Sequence, residues 1–306
     1  MNLEYFCILL LCFLFCFSKR ISNKQKKEIN IAYSLNNNYI KHFFTSLYSL
    51  LENSHKNTIF HIYVQIGSSF DDNNKQMIKK FETKYFNCFI HFLDMNNDFS
   101  EAIKGIMDTS TYYRLKLPIL CPNVSRIIFI DSDTIVLKDL TEFYSLNFEN
   151  KFILGRLDLL YDELDSLGVY SNNYINGGVL LMDLHSLRKY NYTDKFLEYI
   201  KLHNNYRYLN HHDQTLLNYV CHDRIGIFKP KYHMWPFYSE EEIKQINSKF
   251  RIKYNITEFI SDFYNPVIVH FPGVYKNRLK TISSIIKKNY SELAQNLTNE
   301  LLNDIN

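Results

Sequence analysis

Residues 126–136 read RIIFIDSDTIV. Ile127, Ile128, Phe129 and Ile130 form a short apolar run without polar alternation. A strand of this kind is buried on both faces, as in a parallel sheet covered by helices. The run stops abruptly at Asp131-Ser132-Asp133. Upstream, Glu28–Leu35 alternates as a strand through Ile29, Ile31, Tyr33 and Leu35. Tyr39–Leu51 carries Ile40, Phe43, Phe44, Leu47, Tyr48 and Leu51 at helical spacing. Thr58–Ile66 alternates again, with Ile59, His61, Tyr63 and Gln65 sharing one face. Asp71–Tyr85 reads as a helix opened by acidic residues, which suit its positive N-terminus. Cys88–Leu93 is a third strand. The order β-α-β-α-β predicts a parallel sheet flanked by helices. Downstream, strands are predicted at Phe152–Arg156, Gly178–Asp183 and Val267–His270, and helices over Leu184–Leu202 and Asp213–Val220. The expected fold class is α/β, with a mainly parallel, Rossmann-like central sheet in one domain over residues 28–280.

Composition narrows the class further. The chain has 306 residues, 46% hydrophobic and 22% charged, which excludes general disorder. Eight glycines, six cysteines and a single long apolar run exclude collagen, a disulfide scaffold and a multi-span membrane protein. The net charge of +3 is too small to make nucleic acid the main partner. The apolar run is Tyr5–Phe17, followed by Lys19 and Arg20. It is too short to span a bilayer as a helix and has the length of a signal-peptide core. Residues 1–18 are therefore read as a signal peptide or short signal anchor, with entry into the secretory pathway and membrane anchoring as expectations. Residues 281–306 are read as a polar helical tail.

Asp131 and Asp133 lie just past a buried strand, where open parallel sheets bind their ligands. Two carboxylates one residue apart crowd like charge unless a divalent cation sits between them and a phosphate. Their hard oxygens favour Mn2+ or Mg2+. A solvated, helix-capping turn is the bland alternative. Phosphatases of the haloacid dehalogenase type also place D-x-D after a buried strand, but close to the N-terminus and with Thr or Val where Ile135 stands.

Six blocks, in order, bear on the choice: NIAYSLNNNY (30–39), TYYRLKL (111–117), IIFIDSDTIV (127–136), YINGGVLLMDL (174–184), HHDQTLLN (211–218) and VHFPGVYK (269–276). Together the chain resembles glycosyltransferase family 8, the glycogenin and lipopolysaccharide-galactosyltransferase group. The resemblance implies the GT-A fold and a retaining, metal-dependent transfer of a hexosyl group from a UDP-sugar. UDP-glucose or UDP-galactose is the expected donor, and a glycan, protein or lipid-linked hydroxyl the acceptor. It assigns Asp131, Asp133 and His270 to the metal. It places Ser34, Asn36, Asn38 and Tyr39 at the uridine, and Arg114 at the diphosphate or a sugar hydroxyl, with an internal salt bridge as the alternative. Ser132, Asn176, Gly177, Gly273 and Lys276 are placed along the nucleotide-sugar, the last two at its diphosphate. Asp158, Asp213 and Gln214 fall to the reacting sugar, Gln214 nearest the anomeric carbon. A catalytically inactive protein of the same fold and the phosphatase remain as alternatives.

Overall fold

A computed structural model of the chain describes residues 27–96, 99, 109–202, 212–236 and 239–272. Residues 1–18 and 281–306, read above as leader and tail, lie outside the described residues, as do Gly273 and Lys276. Seven strands form the main sheet: β1 (Lys27–Leu35), β2 (Thr58–Ile66), β3 (Cys88–Asp94), β4 (Arg126–Ile130), β6 (Ile153–Gly155), β7 (Val179–Asp183) and β8 (Ile225–Ile227), in the order β3-β2-β1-β4-β7-β6-β8. A separate two-stranded ladder pairs β5 (Thr134–Val136) with β9 (Ile268–His270).

The first half follows the predicted pattern. Helices α1 (Ile40–Glu52) and α2 (Asp72–Lys84) are crossovers, so β1, β2 and β3 run parallel, with Lys27 opposite Thr58 and Phe60 opposite Cys88. Asp71 caps α2 by accepting a hydrogen bond from the backbone N–H of Asn73. Strand β4 joins β1 in parallel and divides its side chains between two cores. Ile128 and Ile130 pack with Tyr33, Phe43 and Phe60 on one face; Ile127 and Phe129 pack with Leu180, Met182 and Leu216 on the other. These four of the five β4 side chains are fully buried, each contributing roughly 1.5–3 kcal/mol of transfer free energy.

The second half departs from it. Strand β7 runs antiparallel to both β4 and β6, and only β6–β8 returns to parallel. The only helices between β4 and β7 are the short ones at Thr141–Tyr144 and Tyr161–Ser166. A parallel return usually carries a helix across the sheet face, and these two helices are only 4 and 6 residues long. The helix predicted as continuous over Leu184–Leu202 is two: α3 (Leu184–Lys189) and α4 (Tyr192–Leu202). Asn191 breaks it with φ 53°, a left-handed conformation that Asn tolerates better than most residues. Helices α5 (His212–Val220), α6 (Glu240–Lys249) and α7 (Ile256–Tyr264) follow among the described residues. No helix among the described residues is long and apolar enough to cross a membrane; the segment behind the anchoring expectation lies outside them.

Candidate active site

The turn after β4 is held from three sides. Asp131 donates its backbone N–H to the Gly178 carbonyl at 2.7 Å. Its own carbonyl accepts from Thr134 Oγ1 at 2.9 Å, and Thr134 Oγ1 lies 2.9 Å from Ser46 Oγ, itself 3.1 Å from the buried Tyr33 hydroxyl. The Asp133 carbonyl accepts from Phe271 N at 3.0 Å. Because β5 and β9 pair with Thr134 opposite His270, the imidazole is carried to the carboxylates. His270 Nε2 stands 3.1 Å from Asp133 Oδ1 and 3.7 Å from Asp131 Oδ2. Ser132 is buried between the two aspartates.

This trio fits a divalent cation. One ligand atom from each of Asp131, Asp133 and His270 lies within 4.8 Å of the others. Burial pushes the Asp131 carboxyl up to about 6, Asp133 and Asp213 add to the rise, and Arg114 and His270 only partly offset it. A carboxylate that is hard to ionise beside a second one marks a site short of positive charge. Gly178 makes room: a Cβ there would lie 2.3 Å from His270 Cε1, 2.6 Å from its Nδ1 and 3.0 Å from Asp131 Oδ2. Gly178→Ala should therefore displace the imidazole and weaken Mn2+ binding by about tenfold or more. Titration of free Mn2+ by electron paramagnetic resonance checks this; wild-type affinity in the variant would show that the ring's position is irrelevant to the ion.

Arg114 sits beneath the trio on the helical turn Thr109–Lys116, buried, with its guanidinium 4.2 Å from the centre of the Phe129 ring. Its Nε pairs with Asp213 Oδ2 at 3.1 Å and its Nη2 with Asp131 Oδ1 at 3.4 Å, while Nη1 donates to the Gly177 carbonyl. The internal ion pair weighed as the alternative is thus present. Asp213, at the start of α5, is buried; desolvation raises its carboxyl and Arg114 draws it back.

Asp158, Asn176 and Gln214 form one hydrogen-bonded cluster next to the trio. Asp158 Oδ2 accepts from Asn176 Nδ2 at 2.8 Å and from Gln214 Nε2 at 3.2 Å. Gln214 Oε1 accepts from Gly177 N at 2.9 Å, and Asn176 Oδ1 from Gly178 N at 2.9 Å. The Asn176-Gly177-Gly178 turn therefore touches Gln214 and Asp158 as well as Arg114, Asp131 and His270.

At the carboxyl end of β1, Asn36 uses Oδ1 to accept from Asn38 N at 2.9 Å, capping the turn Asn37–Tyr39. Ser34 Oγ donates to Gln65 Oε1 at 3.2 Å. The Tyr39 ring is 37% exposed, beside His42 at 5.7 Å between centroids, and so presents an aromatic face at the sheet end. The residues that the sequence left out include Thr134 and above all His233. Its ring is fully buried, with Nε2 2.8 Å from His270 Nδ1. Burial, then His270, then Arg156 hold it well below the usual histidine range, so it is neutral. Nothing in the sequence marks it, since it lies 37 residues from its partner and in no motif.

Residues 30–277 match the family model described as Glycosyl transferase family 8. General stress protein A of Bacillus subtilis is 28% identical over 256 residues, covering 81% of this chain and 87% of its own. Lipopolysaccharide 1,2-glucosyltransferase of Escherichia coli is 24% identical over 267 residues, covering 82% and 74%. Among solved structures, galactosyltransferase LgtC in complex with donor and acceptor sugar analogues superposes with a TM-score of 0.71 at 19% identity, over 88% of this chain and 96% of that one. That likeness establishes the GT-A fold. The phosphatase reading of Asp131 is left without support, because the family match spans the whole D-x-D strand.

Proposed function

We propose, for a chain that belongs to glycosyltransferase family 8, that it transfers a hexosyl group with retention from a UDP-sugar to an acceptor hydroxyl, with Mn2+ or Mg2+ at Asp131, Asp133 and His270. One observation carries this reading. The cation-fitting trio and the Asp158–Asn176–Gln214 cluster share the Asn176-Gly177-Gly178 turn, as a diphosphate and its sugar must be adjacent.

A divalent cation held there supplies positive charge to the diphosphate as negative charge grows on it. The chain's own groups do the rest. Tyr39 offers its ring to the uracil, with Ser34, Asn36 and Asn38 beside base and ribose. Gly273 and Lys276, in the adjoining segment of sequence, are assigned to the diphosphate. Gln214 is fixed in one amide orientation, because Nε2 donates to Asp158 and Oε1 accepts from Gly177. The Asp158 carboxylate pulls on the amide N–H and increases the negative charge on Oε1. That oxygen then stabilises the oxocarbenium-like anomeric carbon. An amide is a poor nucleophile, so attack on the face vacated by the leaving group is favoured. The anomeric carbon loses its bond to the phosphate oxygen and gains one to the acceptor oxygen. The acceptor proton passes to the departing diphosphate.

The deciding experiment is a screen of UDP-glucose, UDP-galactose, UDP-xylose and UDP-glucuronate for Mn2+-dependent UDP release. One preferred donor supports the reading; UDP binding without release from any donor would favour the inactive protein. Gln214→Ala should lower turnover by about 10²-fold while UDP affinity stays within about twofold of wild type. A parallel fall in UDP affinity, read by calorimetry, would assign Gln214 to nucleotide or fold instead.

A further inference from the structure

His233 does nothing in the scheme above, yet it is a fully buried histidine in contact with a metal-site residue. It follows the turn Pro230–Tyr232, and its backbone N–H bonds to the Pro230 carbonyl at 2.9 Å. The next residue clamps the segment to β9: Met234 N bonds to Ile268 O at 2.8 Å, and His270 N to Met234 O at 2.8 Å. The two imidazoles are therefore fixed by backbone pairing, with centroids 5.0 Å apart and planes 34° from parallel. Gly178 leaves the His270 ring its space, since a Cβ there would lie 2.6 Å from Nδ1.

Chemistry then constrains the protons. His270 turns Nε2 to Asp133 and Asp131, and Nδ1 to His233 Nε2. To give its Nε2 electron pair to a cation, a neutral imidazole must carry its proton on Nδ1. That proton needs an acceptor, and the atom placed to receive it is His233 Nε2. The His233 proton must then sit on Nδ1, which is buried and finds no hydrogen-bond partner among the described residues. A donor left in that position is costly, and it is tolerated here together with the pairing it permits.

We propose that His233 is a positioning residue for the metal site: it accepts the Nδ1–H of His270, sets its tautomer and aims Nε2 at the cation. The inference rests on the assignment of a divalent ion to Asp131, Asp133 and His270. It extends that assignment to a residue outside the trio.

The test measures ion binding rather than turnover. Free Mn2+ is titrated by electron paramagnetic resonance, with and without UDP, for wild type, His233→Leu and His233→Gln. The Leu side chain fills space without an acceptor and should weaken Mn2+ binding about 10- to 100-fold. The Gln amide oxygen reaches about where Nε2 stood and should restore most of the affinity. Wild-type affinity in the Leu variant overturns the inference, as does a folded Gln variant no better than Leu. Absence of Mn2+ binding by wild type overturns the metal site itself, a distinguishable failure. Should His233→Leu not fold, long-range 1H–15N spectra of the wild-type rings with Mg2+ decide the matter. His270 must be protonated at Nδ1 and His233 at Nδ1; protonation of His233 at Nε2 in that state refutes the proposal.

Discussion

Asp133→Asn should lower Mn2+-dependent turnover by about 10³-fold or more, while the protein remains folded. The substitution keeps the size of a nearly buried side chain, 9% exposed, and removes only its charge. Losing one neutral donor from a preorganised site already costs about 10²- to 10³-fold in rate. Under the proposed function the lost group is an anionic ligand to the ion that meets the diphosphate, so the loss belongs at or beyond the upper end. The fold should survive because one of two crowded carboxylates becomes neutral, and Asn can still meet His270. Initial rates over a wide range of Mn2+ concentrations, with melting curves in EDTA, separate the two effects. Full activity in the variant would return the motif to an ordinary solvated turn.

Arg114→Met should have the largest effect on stability. The arginine compensates two carboxylates, Asp213 at 3.1 Å and Asp131 at 3.4 Å, from a position only 6% exposed. Removing one partner of a buried ion pair costs about 3–5 kcal/mol, because the other charge is stranded. For a domain of this size that is a fall in Tm on the order of 10 °C. Met keeps much of the packing against Phe129. Adding Asp213→Asn to Arg114→Met should recover part of the loss, with a coupling of about 1–3 kcal/mol in the double-mutant cycle. Mn2+ should raise the Tm of the single variant more than that of wild type, since the ion restores positive charge near Asp131. Strict additivity of the two substitutions would show that Arg114 and Asp213 do not act as a pair.

Local pattern made some of this legible. Strands β1 to β4 and helices α1 and α2 announce themselves through apolar spacing, because each buries one stripe or two faces against the same sheet. The Leu184–Leu202 helix misled because its apolar spacing runs on through Asn191, whereas the left-handed break there is a matter of backbone geometry. The reversed direction of β7 was invisible, since a buried strand looks alike whichever way it runs.

From the sequence alone came the α/β class, the strand end bearing Asp131 and Asp133, and, by resemblance, the residues grouped around a nucleotide-sugar. The identity of side chains and short-range periodicity determine the first two, and both are written locally; the third is what the resemblance implies. The tertiary structure alone decided that Arg114 pairs inward with Asp131 and Asp213, that Gln214 is oriented by Asp158 and Gly177, and that His233 backs His270. Each depends on register between segments far apart in the chain, above all the β5–β9 pairing of Thr134 with His270 across 136 residues. Such pairing follows from which packing of the whole sheet buries the most apolar surface with its polar groups satisfied, and no local stretch of sequence records that sum.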